Sequence, residues 1–568
     1  MFANFRQAMT WLHTWFGLVL GFVLMACFFF GALSVFDREI DRWSLPDTRF
    51  GAQPMPSFDR MLEPVFERLE PHPIDMAATA KRVVGDLPPP GTMTLESLYA
   101  YTTHRDPVLR VGGEFGIPNE PLDPTDDHLH VHGWATVDPR TGEKLPDDQL
   151  KIGSEFFYPM HYSLHLDWKN LGIWIVGLAA FTMLVALVTG VVMHRKIFKE
   201  FFTFRPQKRT LRSALDLHNL TGVVALPFHF FFAFTGLVIF ASAYYFPVSH
   251  TLLEPLHERH EIAEAERTGL PHEAAGVDAP LGSVDAMVAE AKRRWAERDM
   301  AGEVGLLTIN HLGDANGYVS VYRAGTDRVA LVGEAIHFDA SSGDVILEAP
   351  PRSSVGAINA FLTGLHLQHF KHWLLRWLYV VGGLLGCVCI ATGFIFFVEK
   401  RKTKHAESGQ LGSRVVDALA VVTVTGMVVA TVTMLLGNRL LPAELPARGA
   451  WEMRIFWGAW LLAVVHAALR AGGAGSVRIN PAWREQCWAI AAVATTAVVA
   501  NWITTGDHLI RTVFLEPYWP VAGVDLSLIA SAVVAMWAAR KLALRERMAA
   551  RPAETARQHR SRTGMVHG

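Results

Sequence analysis

Eight apolar stretches leave this chain few ways to fold. They occupy 11–36, 168–194, 213–246 and 372–398, and four more lie within 413–540, beginning near Val415, Ile455, Cys487 and Val521. Crossing the hydrocarbon core of a bilayer takes about 20 mostly apolar residues as a helix. Lipid tolerates only backbone whose polar groups are bonded internally. The stretches therefore predict a membrane all-α bundle of about eight transmembrane helices. Composition agrees, since 51% of the 568 residues are apolar and 19% charged, too apolar a balance for a soluble chain of this length. The first stretch runs into Asp37-Arg38-Glu39 and not into a small-residue cleavage site, so it is expected to stay as an anchor.

Loop charge sets the expected orientation. Arg195, Lys196, Lys199, Arg205, Lys208, Arg209 and Arg212 follow the second stretch, Lys400, Arg401, Lys402 and Lys404 the fourth, and Arg540, Lys541, Arg545 and Arg547 the last. Basic loops stay on the cytoplasmic side. Both termini are then cytoplasmic, with 541–568 a basic tail, and the long polar segments 37–165 and 247–366 are periplasmic in a bacterial inner membrane. A net charge of -2 gives no footprint for nucleic acid. Cys27, Cys387, Cys389 and Cys487 all fall inside apolar stretches, so no disulfide framework is implied.

The first two-thirds is one unit written twice. Leu12-His13-Thr14-Trp15-Phe16-Gly17 opens the first stretch and Leu217-His218-Asn219-Leu220-Thr221-Gly222 the third. Both run through aromatic sequence to a small pair, Phe30-Gly31 and Thr235-Gly236. Leu164-His165-Leu166 precedes the second stretch and Leu365-His366-Leu367 the fourth, and both stretches later reach Thr-Gly, at Thr189-Gly190 and Thr392-Gly393. In the polar segments, 135–143 matches 336–344, each reading as a strand ending in an Asp/Gly turn. Residues 413–540 lack the pattern and form an appended module.

The Leu-His-x-x-x-Gly helix start, the strand with Val-Asp-Pro-x-Thr-Gly and the later Leu-His before a Thr-Gly helix resemble the PepSY-associated membrane proteins. Among these are iron-regulated membrane proteins and inner-membrane ferric-siderophore reductases. The resemblance covers about residues 5–403. It implies two small periplasmic α+β PepSY-like domains, b-type haem held by histidines, and reduction of ferric siderophores.

The histidines can be weighed by their own chemistry. Neutral imidazole is well suited to haem iron, and ionisable residues within membrane helices are usually functional. His13 and His218 begin equivalent helices at equal depth, which a shared inner haem requires, and Gly17 and Gly222 one turn on would let a flat macrocycle approach. His165 and His366 form the parallel outer pair, for two haems in all. Several others compete. His229 looks inward near mid-membrane with no partner at its depth. His194 has no equivalent, since its counterpart reads Val398-Glu399-Lys400. His161 and His369 lie beside the outer pairs and could replace either. His128, His130 and His132 would share one face of a strand, either as a metal landing site or as a plain polar face, and the absence of completing carboxylate or cysteine spacing favours the latter. His466 and His508 stand alone and read as structural.

No Gly-x-Gly-x-x-Gly, Walker loop or His-Glu-x-x-His occurs. The electron source would then be a quinol or a separate cytoplasmic reductase, and the acceptor a ferric siderophore or other ferric chelate. The competing reading is a haem-free membrane protein in which PepSY-like domains bind peptide or regulate a protease, or a transporter. Against a proton-coupled transporter, the first four stretches carry no carboxylate at their centres.

Overall fold

The computed structural model describes residues 4–564 apart from 52, 68, 81–82, 84, 104–105, 118–130, 147–148, 195–203, 206–209, 242–267, 272, 326 and 349–351. The chain divides into a helical unit (Met1–Pro46, Asp148–Phe234, Trp377–Gly568) and a sheet unit (Asp47–Asp147, Thr235–Arg376).

Six helices are long and apolar enough to cross a membrane: Trp168–Met193, Trp373–Glu407, Gly412–Leu440, Arg448–Arg470, Ala482–Thr505 and Trp519–Arg547. The other two apolar stretches are each broken into a bent pair. In chain order we label α1 (Phe5–Val19) and α2 (Gly21–Ser34), bent by 59°, then α3 (Asp37–Ser44), α4 (Tyr158–Tyr162) and α5 (Leu171–Met193). Next come α6 (Thr210–Val224) and α7 (Leu226–Phe240), bent by 64°. The sequence predicts straight spans here. Pro227 explains the second break, because it has no N–H to give and its ring collides with the carbonyl four residues back. The first break contains no proline. There Gly21 sits against Phe394, whose ring an added Cβ would meet at 3.1 Å, and Phe394 stacks on Phe22. His13 and His218 each precede their break by seven residues (20 − 13 and 225 − 218), so the repeat survives in the bend even though a straight-helix depth does not.

The sheet unit contains α8 (Val284–Glu297) and α9 (Ser354–Leu367). The polar segments were expected to form two domains, but they share one antiparallel sheet. The first supplies β1 (Thr94–Thr103), β2 (Asp106–Gly116) and β3 (Val131–Val137). The second supplies β4 (Val304–Asn310), β5 (Tyr318–Arg323), β6 (Ala335–Asp339) and β7 (Val345–Glu348). The order is β3-β2-β1-β4-β5-β6-β7, and the seam is the pairing of β1 with β4 from Leu98↔Ile309 to Tyr101↔Leu306. Joined, the strands bury Leu98, Val111, Leu307, Val321 and Phe338 with Met287 and Trp295 of α8 in one core.

The repeat is visible inside the sheet unit. Asp138 and Asp339 open the same turn, closed by Gly142 and Gly343, both at φ +76°, where glycine is the residue without steric cost. Ser57-Phe58-Asp59 and Ser283-Val284-Asp285 cap each other. The Phe58 amide donates to Asp285 at 2.7 Å and the Val284 amide to Asp59 at 2.9 Å.

The remaining helices are α10 (Trp373–Glu407), α11 (Gly412–Leu440, with a π-helical turn at Val422–Gly426), α12 (Arg448–Arg470), α13 (Ala482–Thr505) and α14 (Trp519–Gly564). The α11–α14 group is not a detached appendage. Phe30, Phe156 and Phe157 of the first repeat share one core with Met434, Phe456, Ile490 and Leu528. Polar bonds fasten α3 to it: Trp43 Nε1 donates to the buried Asp525 at 2.8 Å, and Arg439 donates to the Ser44 carbonyl.

Candidate functional site: histidines against glycine faces

His13 and His218 come together. Their ring centroids lie 6.1 Å apart with planes 83° from parallel. Each is held by its Nδ1 to a carbonyl of the partner helix in its own repeat. His13 meets the Ala186 carbonyl of α5 at 3.0 Å, and His218 meets the Cys389 carbonyl of α10 at 2.7 Å. The threonine of each Thr-Gly pair bonds the same carbonyl, Thr189 that of Ala186 and Thr392 that of Cys389. The glycine that follows lets the ring reach the backbone: a Cβ would stand 3.3 Å from His13 at Gly190 and 3.4 Å from His218 at Gly393. This explains why Thr-Gly recurs. With Nδ1–H committed to a carbonyl, Nε2 becomes the nitrogen available to a metal, the usual way a ligating imidazole is oriented.

One turn beyond the histidines the two repeats differ, with open space at Gly17 and a cysteine beside Gly222. A Cβ on Gly17 would meet nothing within 4 Å, and on Gly222 only Cys389 Sγ at 3.5 Å. The two rings are close enough that both could serve one metal ion. Among the described residues no group of three or more His, Cys, Asp or Glu converges on a metal position. The space beside Gly17 is the part of this site that could admit a flat group.

The outer histidines follow the same rule but shift the register read from the sequence. His366 at the end of α9 bonds Thr235 Oγ1 at 2.9 Å and lies against Gly236, where a Cβ would approach to 3.0 Å. In the first repeat the residue against the matching Gly31 is His161, not His165. His161 Nδ1 bonds the Cys27 carbonyl at 2.8 Å, and a Cβ at Gly31 would stand 2.7 Å from that nitrogen. His165 sits in a left-handed turn at φ 52°, stacks on Phe156 and bonds its carbonyl through Nε2 at 3.0 Å. The Leu-His match between 164–166 and 365–367 misleads because α4 ends three residues before His165, whereas α9 runs through His366. The spacing from each histidine to its glycine partner is the signal that would have found His161.

The other histidines differ in their partners. His229 is 1% exposed, packs edge-on to Phe28, and neither ring nitrogen completes a hydrogen bond, with the Gly382 backbone alongside. His194 bonds Asn219 at 2.8 Å. His369 is exposed. His132 faces Glu114 across β2 and β3 at 3.9 Å; His128 and His130 lie outside the described residues.

Two half-buried histidines meet across equivalent helices of a duplicated helical bundle, in a chain whose apolar helices mark it as a multi-pass membrane protein. Residues 10–400 match the model of the PepSY-associated TM region, and the chain belongs to that family. The match takes in both repeats and ends before α11. The chain is similar to a protein of Pseudomonas aeruginosa described only as uncharacterized, 28% identical over 335 residues, 55% of this chain and 79% of that one.

Proposed function

We propose that the protein is an inner-membrane haem reductase, passing electrons from the cytoplasmic or quinol side to a periplasmic ferric chelate. The favoured chelate is a ferric siderophore. The observation that carries the reading is the His13–His218 pair, 6.1 Å apart, anchored through Nδ1 and with open space beside Gly17. Haem b bound there would supply a one-electron carrier, and ligation by two histidines suits electron transfer over oxygen binding. The carbonyls of Ala186 and Cys389 fix the tautomer and rotation of both rings and keep them basic. Asp216, buried two residues before His218, is neutralised by Arg205 and Arg212 at 2.9 and 3.1 Å, so the helix start carries no free negative charge. Repeat equivalence moves the outer candidate of the first repeat from His165 to His161, while His366 remains that of the second. Ferrous iron binds such chelators far more weakly than ferric, so reduction releases it.

The competing transporter reading finds its carboxylates in Asp417, Glu452 and Asp525, all buried. Each is held by a neighbour: Arg414 and Trp483 hold Asp417, Asn438 holds Glu452, and Trp43 and Asn501 hold Asp525. The deciding experiment is a pyridine haemochrome assay on purified protein. Two haems per chain support the scheme. A colourless preparation without a Soret band refutes it in favour of a haem-free PepSY-type protein.

A further inference from the structure

His466 is not alone. Its Nε2 donates to Glu485 at 2.9 Å, Arg470 holds the same carboxylate at 3.0 Å, and its Nδ1 faces the Gln486 amide nitrogen at 3.4 Å. Gln486 also donates to the Ala463 carbonyl at 3.1 Å and accepts from Thr425 at 2.7 Å, which fixes the orientation of its amide. Thr425 belongs to the π-helical turn of α11, and such turns are frequent at functional sites. A salt bridge pinning α12 to α13 needs only Arg470 and Glu485. Here the bonded chain continues inward through an imidazole and an amide to a distorted helix.

The imidazole is also reachable from the side. The His466 side chain is 37% exposed, and its neighbours on the same flank of α12, Leu462 and Leu469, are 71% and 79% exposed. Those are apolar residues of a membrane-length helix, so the open flank faces lipid. A route to the inner histidines exists in the same unit. Gly393 lies against His218, Phe397 one turn on packs with Val416 of α11, and Asp417 accepts from Trp483 at 3.0 Å, two residues before Glu485.

We infer that His466, Glu485 and Gln486 form a lipid-accessible hydroquinone-binding site that feeds electrons to the reductase. This rests on the haem reading above. A hydroquinone arriving from the bilayer donates one hydroxyl to His466 Nδ1 in place of the long amide bond. On oxidation to quinone both O–H bonds break. The first proton lands on Nδ1 while Nε2 releases its own to Glu485, which passes it to water at the Arg470 end. The second proton follows the same path. The two electrons leave singly toward the haem and reduce two ferric chelates, so that one hydroquinone and two Fe(III) give quinone, two protons and two Fe(II).

The full chain in lipid nanodiscs carries the test. Photolabelling with an azido-ubiquinone followed by peptide mapping should mark 455–490. In anaerobic stopped-flow with decylubiquinol, His466→Phe and Glu485→Gln should slow growth of the reduced α-band roughly 10²-fold, the scale of a lost proton acceptor. The dithionite-reduced spectrum should stay unchanged. Leu462→Trp, which crowds the exposed flank without touching the core, should weaken labelling and slow reduction in the same direction. Label elsewhere, or undiminished reduction in these variants, overturns the site. Label on 455–490 in a preparation without haem keeps the quinone site and removes the reductase reading.

Discussion

Replacing Gly31 by alanine should damage the protein far more than replacing Gly190. At Gly31 the new Cβ would lie 2.7 Å from His161 Nδ1 and 2.9 Å from Cε1, whereas at Gly190 it would lie 3.3 Å from His13 Cε1. Carbon contacts settle near 3.5–4.0 Å. His161 must therefore retreat from α2 by about 0.8 Å, taking its 2.8 Å bond to Cys27 to about 3.6 Å, past the limit of a hydrogen bond. Losing that bond costs about 0.5–1.5 kcal/mol, and overpacking a buried contact adds about 1–3 kcal/mol. The total for Gly31→Ala is about 1.5–4.5 kcal/mol. His13 needs to yield only about 0.2 Å to reach contact distance, so Gly190→Ala should cost under about 1 kcal/mol. Thermal denaturation of both variants in one detergent, followed by intrinsic fluorescence, reads the difference. Equal midpoints, or a larger loss at Gly190, would refute the view that His161 is seated on the glycine face of α2.

Other outcomes test the remaining arguments. His13→Ala and His218→Ala should each remove one haem per chain in a pyridine haemochrome assay, while His165→Ala leaves the count unchanged. Asp59→Ala should speed hydrogen exchange at Val284, in the other polar segment, by removing the acceptor of that amide, a capping contact worth about 1 kcal/mol; Asp285→Ala should do the same at Phe58. The Arg140 guanidinium, bonded to Asp138, holds that carboxyl below the usual carboxylate range. Its contribution is therefore present above the unfolded pKa of about 3.9 and lost as pH falls through the lower folded value. Exchange protection at Gly142 should weaken on acidification below pH 4, and Asp138→Asn should flatten that dependence.

The membrane class and the duplication were legible because both are periodic: long apolar runs and motifs recurring about 200 residues apart. The inner pair was legible for the same reason, since His13 and His218 hold the same place in equivalent helices. That His161 lies against Gly31 as His366 lies against Gly236 was not legible. Leu-His is a two-residue signal, and the helix that positions it ends before His165 in one copy and after His366 in the other. The bends at Leu20 and Ala225 were hidden, because only Pro227 advertises a break while Gly21 acts through its contact with Phe394. The shared sheet was hidden as well. Nothing local in β1 says that its free edge is to be met by β4 and not by its own repeat. His466 looked isolated in sequence because its partners Glu485 and Gln486 come from the next helix.

The seam between β1 and β4 also sets a schedule for synthesis. Leu98 pairs with Ile309, 211 residues later (309 − 98). At about 5–20 residues per second, the ribosome needs about 10–40 s to supply the second strand. Throughout that interval the first three strands stand with one flank of β1 unpaired, a surface that invites association with other chains. The backbone from Leu98 to Tyr101 is thus left unpaired longest, in a nascent chain that cannot complete its sheet until both copies of the repeat have been made.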